Sequence, residues 1–304
     1  MNRISLSEMY ISVNKNKKEF IENSENLFDL RVSQVAEKII DSSCNIVFLA
    51  GPSSSGKTTT AEKLSQKFNE HNIKAHRVSL DDFYINCVDI PLTSNGAKDF
   101  ENFNSLDLDL LHSSFENLVK NREADLTVFD FKTGTRTENK NHIKLENEDV
   151  ILVEGIHALN PLIYDGLDEE RFCKIFLSVS TMVTDENDDI VFTGRNIRLI
   201  RRIIRDFNHR NSSVENTLRQ WKEVVIGEEK FIFPFENLAD YKIDSFHAFE
   251  PCMFKSRVVD LLNQVDNDSE MYSKSKELSA CFEKLSFIDE KCLPESSLLM
   301  EFLG

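Results

Sequence analysis

Gly51-Pro52-Ser53-Ser54-Ser55-Gly56-Lys57-Thr58 follows the apolar run Ile46-Val47-Phe48-Leu49-Ala50 and leads into Thr59-Thr60-Ala61-Glu62-Lys63-Leu64. Glycines at both ends of a short loop, with a lysine and a hydroxyl residue next, spell a phosphate-binding loop between a strand and a helix. Such a backbone wraps an anion with its N–H groups pointing inward, while Lys57 reaches the outer phosphates and the Thr58 hydroxyl can ligate Mg2+. The helix that follows adds the positive end of its dipole. A Ser-rich surface loop is the plain alternative, and the flanking strand and helix weigh against it. The chain is therefore expected to bind a nucleoside triphosphate, with Gly51, Ser53, Ser54, Ser55, Gly56, Lys57, Thr58 and Thr59 forming the cradle.

The 304 residues, 40% apolar and 29% charged, suffice for one sizeable α/β core with an appended tail. A net charge of -16 excludes the basic excess of a duplex or membrane-surface binder and leaves a small phosphorylated ligand, which needs only a local cluster of cations. The six cysteines show no CxxC and no zinc spacing, and are expected as buried thiols in a reducing cytoplasm. Met1 to Phe20 has no apolar segment of the signal-peptide kind, and no run approaches transmembrane length.

Outward from the loop, Leu27, Leu30, Val35, Ile39 and Ile40 recur at helical spacing and predict a lead-in helix within residues 1–44. A helix over 57–70 and a strand from Ala75 to Leu80 ending on Asp81-Asp82 complete a βαβ unit, so the sheet is expected to be parallel, with Asp81 near the loop. Tyr84 to Asp99, containing Thr93-Ser94-Asn95-Gly96, reads as a loop over the site. Leu106 to Leu118 reads as a helix, Leu126 to Phe131 as an extended piece followed by a polar connection. Val150-Ile151-Leu152-Val153 reads as a central strand that delivers Glu154 to the same rim as Asp81. Lys174 to Val179 and Tyr241 to Ile243 complete the strands, with helices at 214–226 and 250–265. The pattern breaks from Gly227 to Pro234, and residues 266–304 are expected as a helical tail packed on a phosphate-loop domain over 45–265.

Between Arg195 and Arg210, Ile197, Ile200, Ile203, Ile204 and Phe207 share one helical side, while Arg195, Arg198, Arg201, Arg202 and Arg205 share the other. Surface ion pairs are the plain reading of such a stripe, each worth little. Beside a phosphate loop the polyphosphate reading is preferred, because phosphoryl transfer needs cations on the transferred group. The segment about 190–212 is then a lid. Glu154, at a strand end before Gly155, stands where an acid would organise Mg2+. Asp81 is the candidate base, with Asp82 competing for the role. Glu101 has no reading from physics alone.

Several of these stretches together resemble the uridine kinase family: Gly51 to Thr58, Ser79-Leu80-Asp81-Asp82-Phe83-Tyr84, Asp99-Phe100-Glu101, Phe129-Asp130-Phe131-Lys132-Thr133-Gly134, Val153-Glu154-Gly155-Ile156-His157 and Arg198 to Asp206. Gly227 to Phe235 and Pro294 to Leu299 resemble a bacterial subgroup of uridine-kinase-like proteins. Its longer members carry a TGS and threonyl-tRNA-synthetase-like part ahead of the kinase, whereas about fifty residues precede the loop here. The resemblance implies an α/β P-loop kinase with Asp81, Lys57 and Arg205 catalytic and Thr58, Asp81 and Glu154 on Mg2+. It implies Arg201 and Arg205 on the nucleotide, Glu101 on ribose hydroxyls, Tyr84, Phe129 and Phe131 around the nucleoside, and Arg202 and Arg210 toward substrate. Where pyrimidine-specific members carry Tyr and His, this chain has Phe129 and Gly134, which removes hydrogen bonds that read the base. It also has Ser212 where a further arginine is common.

The expected activity is transfer of the γ-phosphoryl group of ATP or GTP to the 5′-hydroxyl of a nucleoside, uridine or cytidine first, in the cytoplasm. Related kinases often form oligomers; no nucleic-acid or membrane partner is implied. The rivals are phosphoribulokinase-like or pantothenate-kinase-like acceptors, and a nucleotide-binding regulator with idle chemistry. A signalling GTPase is disfavoured, because Asn139-Lys140 is followed by Asn141-His142 rather than x-Asp.

Overall fold

Five consecutive apolar residues need burial on both sides, and the structure, a computed structural model, encloses all of Ile46–Ala50 within a sheet. It describes all residues except Met1, Asn95 and Asn147, and every side chain among them except that of Asn139. Asn95 of the loop expected over the site thus lies outside the described residues. The strands are β1 (Arg3–Ser5), β2 (Ile46–Ala50), β3 (Ala75–Ser79), β4 (Glu123–Asp130), β5 (Thr135–Lys144), β6 (Val150–Glu154), β7 (Phe172–Ser178), β8 (Met182–Thr184), β9 (Ile190–Phe192) and β10 (Tyr241–Asp244). The helices are α1 (Leu6–Ile40), α2 (Lys57–Glu70), α3 (Leu108–Lys120), α4 (Gly194–Arg210), α5 (Val214–Phe231), α6 (Glu250–Leu262), α7 (Tyr272–Ala280) and α8 (Met300–Leu303).

The main sheet is five-stranded and parallel in the order β10-β7-β2-β6-β3. Although β2 and β3 are successive in the chain, β6 lies between them, with Glu154 opposite both Leu49 and Ser79. That register sets the acid at the strand rim between the phosphate loop and Asp81. Alternation along β2 sends Val47 and Leu49 into a core shared with α1, α2, α4 and α6, and Ile46, Phe48 and Ala50 into a second core with α3 and β4. Leu298, Leu299 and Phe302, at the C-terminus, are fully buried in the first of these cores.

Four expectations change. The lead-in helix starts at Leu6, where Ser5 and Glu8 form a capping box, and bends at Asn16; its buried face runs through Phe28, Val32, Val35 and Ile39, leaving Leu27 and Leu30 exposed. The polar connection after β4 contains β5, which pairs with β4 as an antiparallel ribbon. The helix α5 continues through Gly227 to Phe231 instead of breaking there. Cys44 and Cys173 are joined in a disulfide between the approach to β2 and the start of β7, across a separation of 129 residues that carries no spacing signal; Cys87, Cys252, Cys281 and Cys292 are free. Among the described residues no helix is long and apolar enough to cross a membrane.

Candidate active site

The loop at the end of β2 closes tightly against β7. A Cβ on Gly51 would run into the Leu177 carbonyl oxygen, and Gly56, which caps α2, sits at φ +91°. A loop whose N–H groups converge inward turns its carbonyl oxygens outward, and these need donors of their own. Buried groups from α4 and from the residue that follows β10 supply them. Arg198 donates to Ser53 O (3.1 Å), Arg201 to Ser54 O and Ser55 O (3.4 and 3.3 Å), and Ser245 Oγ to Ser55 O (2.6 Å). Each arginine is balanced by a buried acid: Glu228 accepts from Arg198 (2.8 Å), and Glu250 accepts twice from Arg201 (2.8 and 2.9 Å).

This corrects the reading of the arginine stripe. Arg201, expected on the nucleotide, is fully buried behind the loop, and Arg195 pairs with Glu229 at the surface. The helix expected as a lid is packed on both sides and acts as a brace. The arginines that reach the cavity are Arg202, Arg205 and Arg210, gathered around the buried Asp206 at 3.2, 2.9 and 3.7 Å. Arg202 also donates to Ser53 Oγ (3.0 Å). Three guanidiniums on one carboxylate leave a net positive wall, and burial lowers the pKa of both Arg202 and Arg210.

The cavity, of about 640 Å³, is floored by Ser53, Ser54, Gly56, Lys57 and Thr58. Lys57 Nζ folds back onto Gly51 O (2.9 Å). Gly51 and Ser55 stand behind this floor rather than in it, and among the described residues the buried Ser54 and Ser55 hydroxyls have no hydrogen-bond partner. Thr59, expected in the cradle, is engaged elsewhere: its N–H (3.3 Å) and its hydroxyl (2.8 Å) both donate to Glu301.

Asp81 and Glu154 face the loop across the cavity. Asp81 lies on the short 3-10 turn Leu80–Phe83 after β3, and Glu154 ends β6, where Ser79 Oγ donates to it (3.0 Å). Burial raises both carboxyls; Lys57 works against this at each, while Asp82 adds to the rise at Asp81 and Asp81 to that at Glu154. Two destabilised carboxylates beside the Thr58 hydroxyl are an all-oxygen set that fits a hard divalent cation such as Mg2+. Asp81 lines the cavity, whereas Asp82, its alternative, is not among the lining residues and accepts from the backbone N–H of Phe129 (3.1 Å).

The remaining wall belongs to Glu101 and to aromatic rings. Glu101 Oε2 is sealed from solvent and unpartnered among the described residues. Burial, with Glu228 adding to it, pushes this carboxyl up to about 7. The Glu101 backbone is pinned by its neighbours: Tyr84 Oη donates to Phe100 O (2.7 Å) and Ser105 Oγ to Asp99 O (2.7 Å). Behind it, Gly227 is required, since a Cβ there would stand 2.5 Å from Glu101 Cβ. Tyr84, Phe100 and Phe131 form a cluster with centroids 5.3 to 6.0 Å apart, and Phe131 is exposed to the cavity. Phe129, expected at the nucleoside, is buried behind Tyr84 and Phe131 and supports them. Gly134, at φ +68°, leaves no room for a side chain, since an added Cβ would stand 2.8 Å from Cys87 Sγ, and Ser212 accepts from Asn216 (2.9 Å) away from the cavity.

Residues 46–249 match the Phosphoribulokinase / Uridine kinase family. The chain belongs to that family. It is 30% identical over 196 residues to uridine kinase of Bacillus pumilus, covering 64% of this chain and 83% of the relative. It is 29% identical over 197 residues to uridine kinase of Clostridium botulinum strain Okra, covering 64% and 85%. A solved structure of a possible uridine kinase from Bacillus stearothermophilus, 20% identical, covers 70% of this chain and 97% of its own with a TM-score of 0.47. The protein is thus a P-loop kinase, a phosphotransferase with a hydroxyl acceptor.

In this kinase the sequence reading missed five contributors. Asp206, which gathers the arginines, is visible only as a lone acid in a basic stripe. Gly227 reads as a helix break, Gln220 and Glu223 fall within the helix expected at 214–226 with no reading of their own, and Glu301 has no sequence signal at all. Gln220, Glu223 and Glu301 line the cavity.

Proposed function

We propose that the kinase transfers the γ-phosphoryl group of ATP, with GTP as the alternative donor, to the 5′-hydroxyl of a nucleoside, uridine or cytidine before others. The observation that carries this reading is Glu101, a carboxylate with an unpartnered oxygen in the same cavity as the loop and Asp81. A carboxylate with free lone pairs suits two vicinal hydroxyls, the mark of a ribose. The relatives named uridine kinase support the same acceptor class.

In this reading Lys57 and the inward N–H groups of the loop hold the outer phosphates. Asp81 takes the proton of the attacking hydroxyl, a role suited to a carboxyl whose proton affinity burial has raised. Arg202 and Arg205 neutralise charge on the transferred group, held in place by Asp206. Phe131 offers its face to the base and Glu101 orients the sugar. Thr58, Asp81 and Glu154 would hold Mg2+, which when bound supplies charge neutralisation across the donor phosphates. With bare-backbone Gly134 and the withdrawn Phe129, no polar side chain among those described in the β4–β5 ribbon lines the cavity, and this favours, as a second reading, a related sugar-like alcohol as acceptor.

The test is ADP release with Mg-ATP against uridine, cytidine, purine nucleosides, ribulose 5-phosphate and pantothenate. Turnover that depends on one nucleoside and falls about 10²-fold or more in Asp81→Asn is the expected result. Turnover with ribulose 5-phosphate or pantothenate alone would replace the acceptor, and nucleotide binding with no acceptor-stimulated turnover would replace the reaction.

A further inference from the structure

The last eight residues lie outside the family-matched segment yet pack directly on the phosphate loop. Leu298 fills the space beside Gly56, where an added Cβ would sit 2.5 Å from its Cδ1. Phe302 lies 5.3 Å from the Arg201 guanidinium, and Asn208 Nδ2 donates to the Phe302 and Leu303 carbonyls (3.1 and 2.9 Å). Ser297 Oγ donates to the buried Glu25. The backbone of this segment is therefore fixed in the core. The Glu301 side chain, in contrast, points into the cavity, where its Oε2 accepts from the Thr59 hydroxyl (2.8 Å) and the Thr59 N–H (3.3 Å).

Thr59 is in the first turn of α2, directly after the loop's Lys57 and Thr58. Its N–H is one of the first-turn donors with no intrahelical acceptor, the first such bond being Thr60 N–H to Gly56 O, and the dipole favours an anion there. Glu301 itself lines the cavity beside Lys57 and Thr58, so a donor phosphate extending from the loop to this turn would meet the seat that Glu301 holds. Two anions cannot share one hydroxyl and one N–H without strong repulsion.

We infer that Glu301 sets donor affinity: its carboxylate competes with a phosphate of the donor for Thr59 and has to swing aside for the nucleotide to bind. The inference rests on the donor-site reading given above. Only a side-chain rotation is involved, because the tail backbone is anchored by Leu298, Phe302 and Asn208.

The experiment is calorimetric titration of MgADP into the full chain and into Glu301→Gln, Glu301→Asp and Lys57→Ala, with thermal melts confirming that each variant is folded. Glu301→Gln keeps the shape and removes the charge, and should bind MgADP about tenfold tighter than the unmodified protein. Glu301→Asp keeps the charge but draws it back from Thr59, and should fall between the two. Equal or weaker binding by Glu301→Gln, with binding lost in Lys57→Ala, would overturn the inference and leave the donor site standing. Binding that survives Lys57→Ala, or absent from every variant, would remove the donor-site reading and the inference with it.

Discussion

Gly227→Ala should damage acceptor use while sparing the donor. The new Cβ would lie 2.5 Å from Glu101 Cβ, 3.1 Å from its Cγ and 3.8 Å from its Cα. Carbon atoms in contact sit about 3.5–4.0 Å apart, so the pair must separate by ~1 Å. Rotating the glutamate does not relieve the overlap, since its own Cβ is the atom struck. The strain falls on a backbone held by Tyr84 and Ser105, and on α5. Overpacking of this kind costs about 1–3 kcal/mol, against a gain of about 1 kcal/mol from replacing glycine within a helix. Net destabilisation should thus be at most about 2 kcal/mol, and the enzyme stays folded. A displacement of ~1 Å at a positioning carboxylate lowers kcat/KM for the acceptor about 10²-fold. The assay pairs steady-state kinetics in the acceptor with calorimetric MgADP affinity, which should change far less. Combining the change with Glu101→Gly removes the opposing Cβ and should restore stability without restoring activity. Unchanged kcat/KM for the acceptor in Gly227→Ala would refute the assignment of Glu101 to the acceptor.

Arg201→Met strands Glu250 in the core, and should lower stability by about 3–5 kcal/mol in urea titration, with nucleotide binding lost alongside; a wild-type midpoint would deny the brace its role. Glu101 titrates near 4.5 when unfolded and about 7 in the fold, so folding favours its protonated form. Its contribution is full below pH 4.5 and lost as pH rises through 7, a gross ~3 kcal/mol slope that Glu101→Gln should remove from the stability profile. Over the same range kcat/KM for a ribose acceptor should rise with pH as the carboxylate forms, and a flat profile would contradict that role. Phe131→Ala should raise the nucleoside KM about tenfold with kcat kept, through loss of ring stacking, as measured in initial-rate kinetics.

The fold was legible where pattern and burial coincide. The run 46–50, the loop glycines and the run 150–153 each announce a buried parallel strand or its turn, and the βαβ order follows. The ribbon strand β5 was not, because in Thr135–Lys144 the buried side chain among those described is Ile143, too little for an alternating pattern. Periodicity identified both faces of α4 but not their partners. Arg198 and Arg201 meet buried acids from α5 and α6, whereas Arg202 and Arg205 turn to the cavity, a distinction that only tertiary contacts make. Glu101 was quoted from the resemblance before physics gave it a reason. That reason is the sealed, unpartnered oxygen, and it depends on residues more than a hundred positions away.

The β4–β5 ribbon stands apart from the five-stranded sheet and shares no strand pairing with it. It carries Phe129, Phe131 and Gly134, while the loop, Glu154 and the arginine brace are set on the main sheet and the helices packed against it. Under the proposed function, substitutions in the ribbon that keep the Phe129 N–H on Asp82 would reshape the acceptor wall without straining the phosphate machinery. A fold partitioned this way lets selection change what is phosphorylated while leaving intact how it is done.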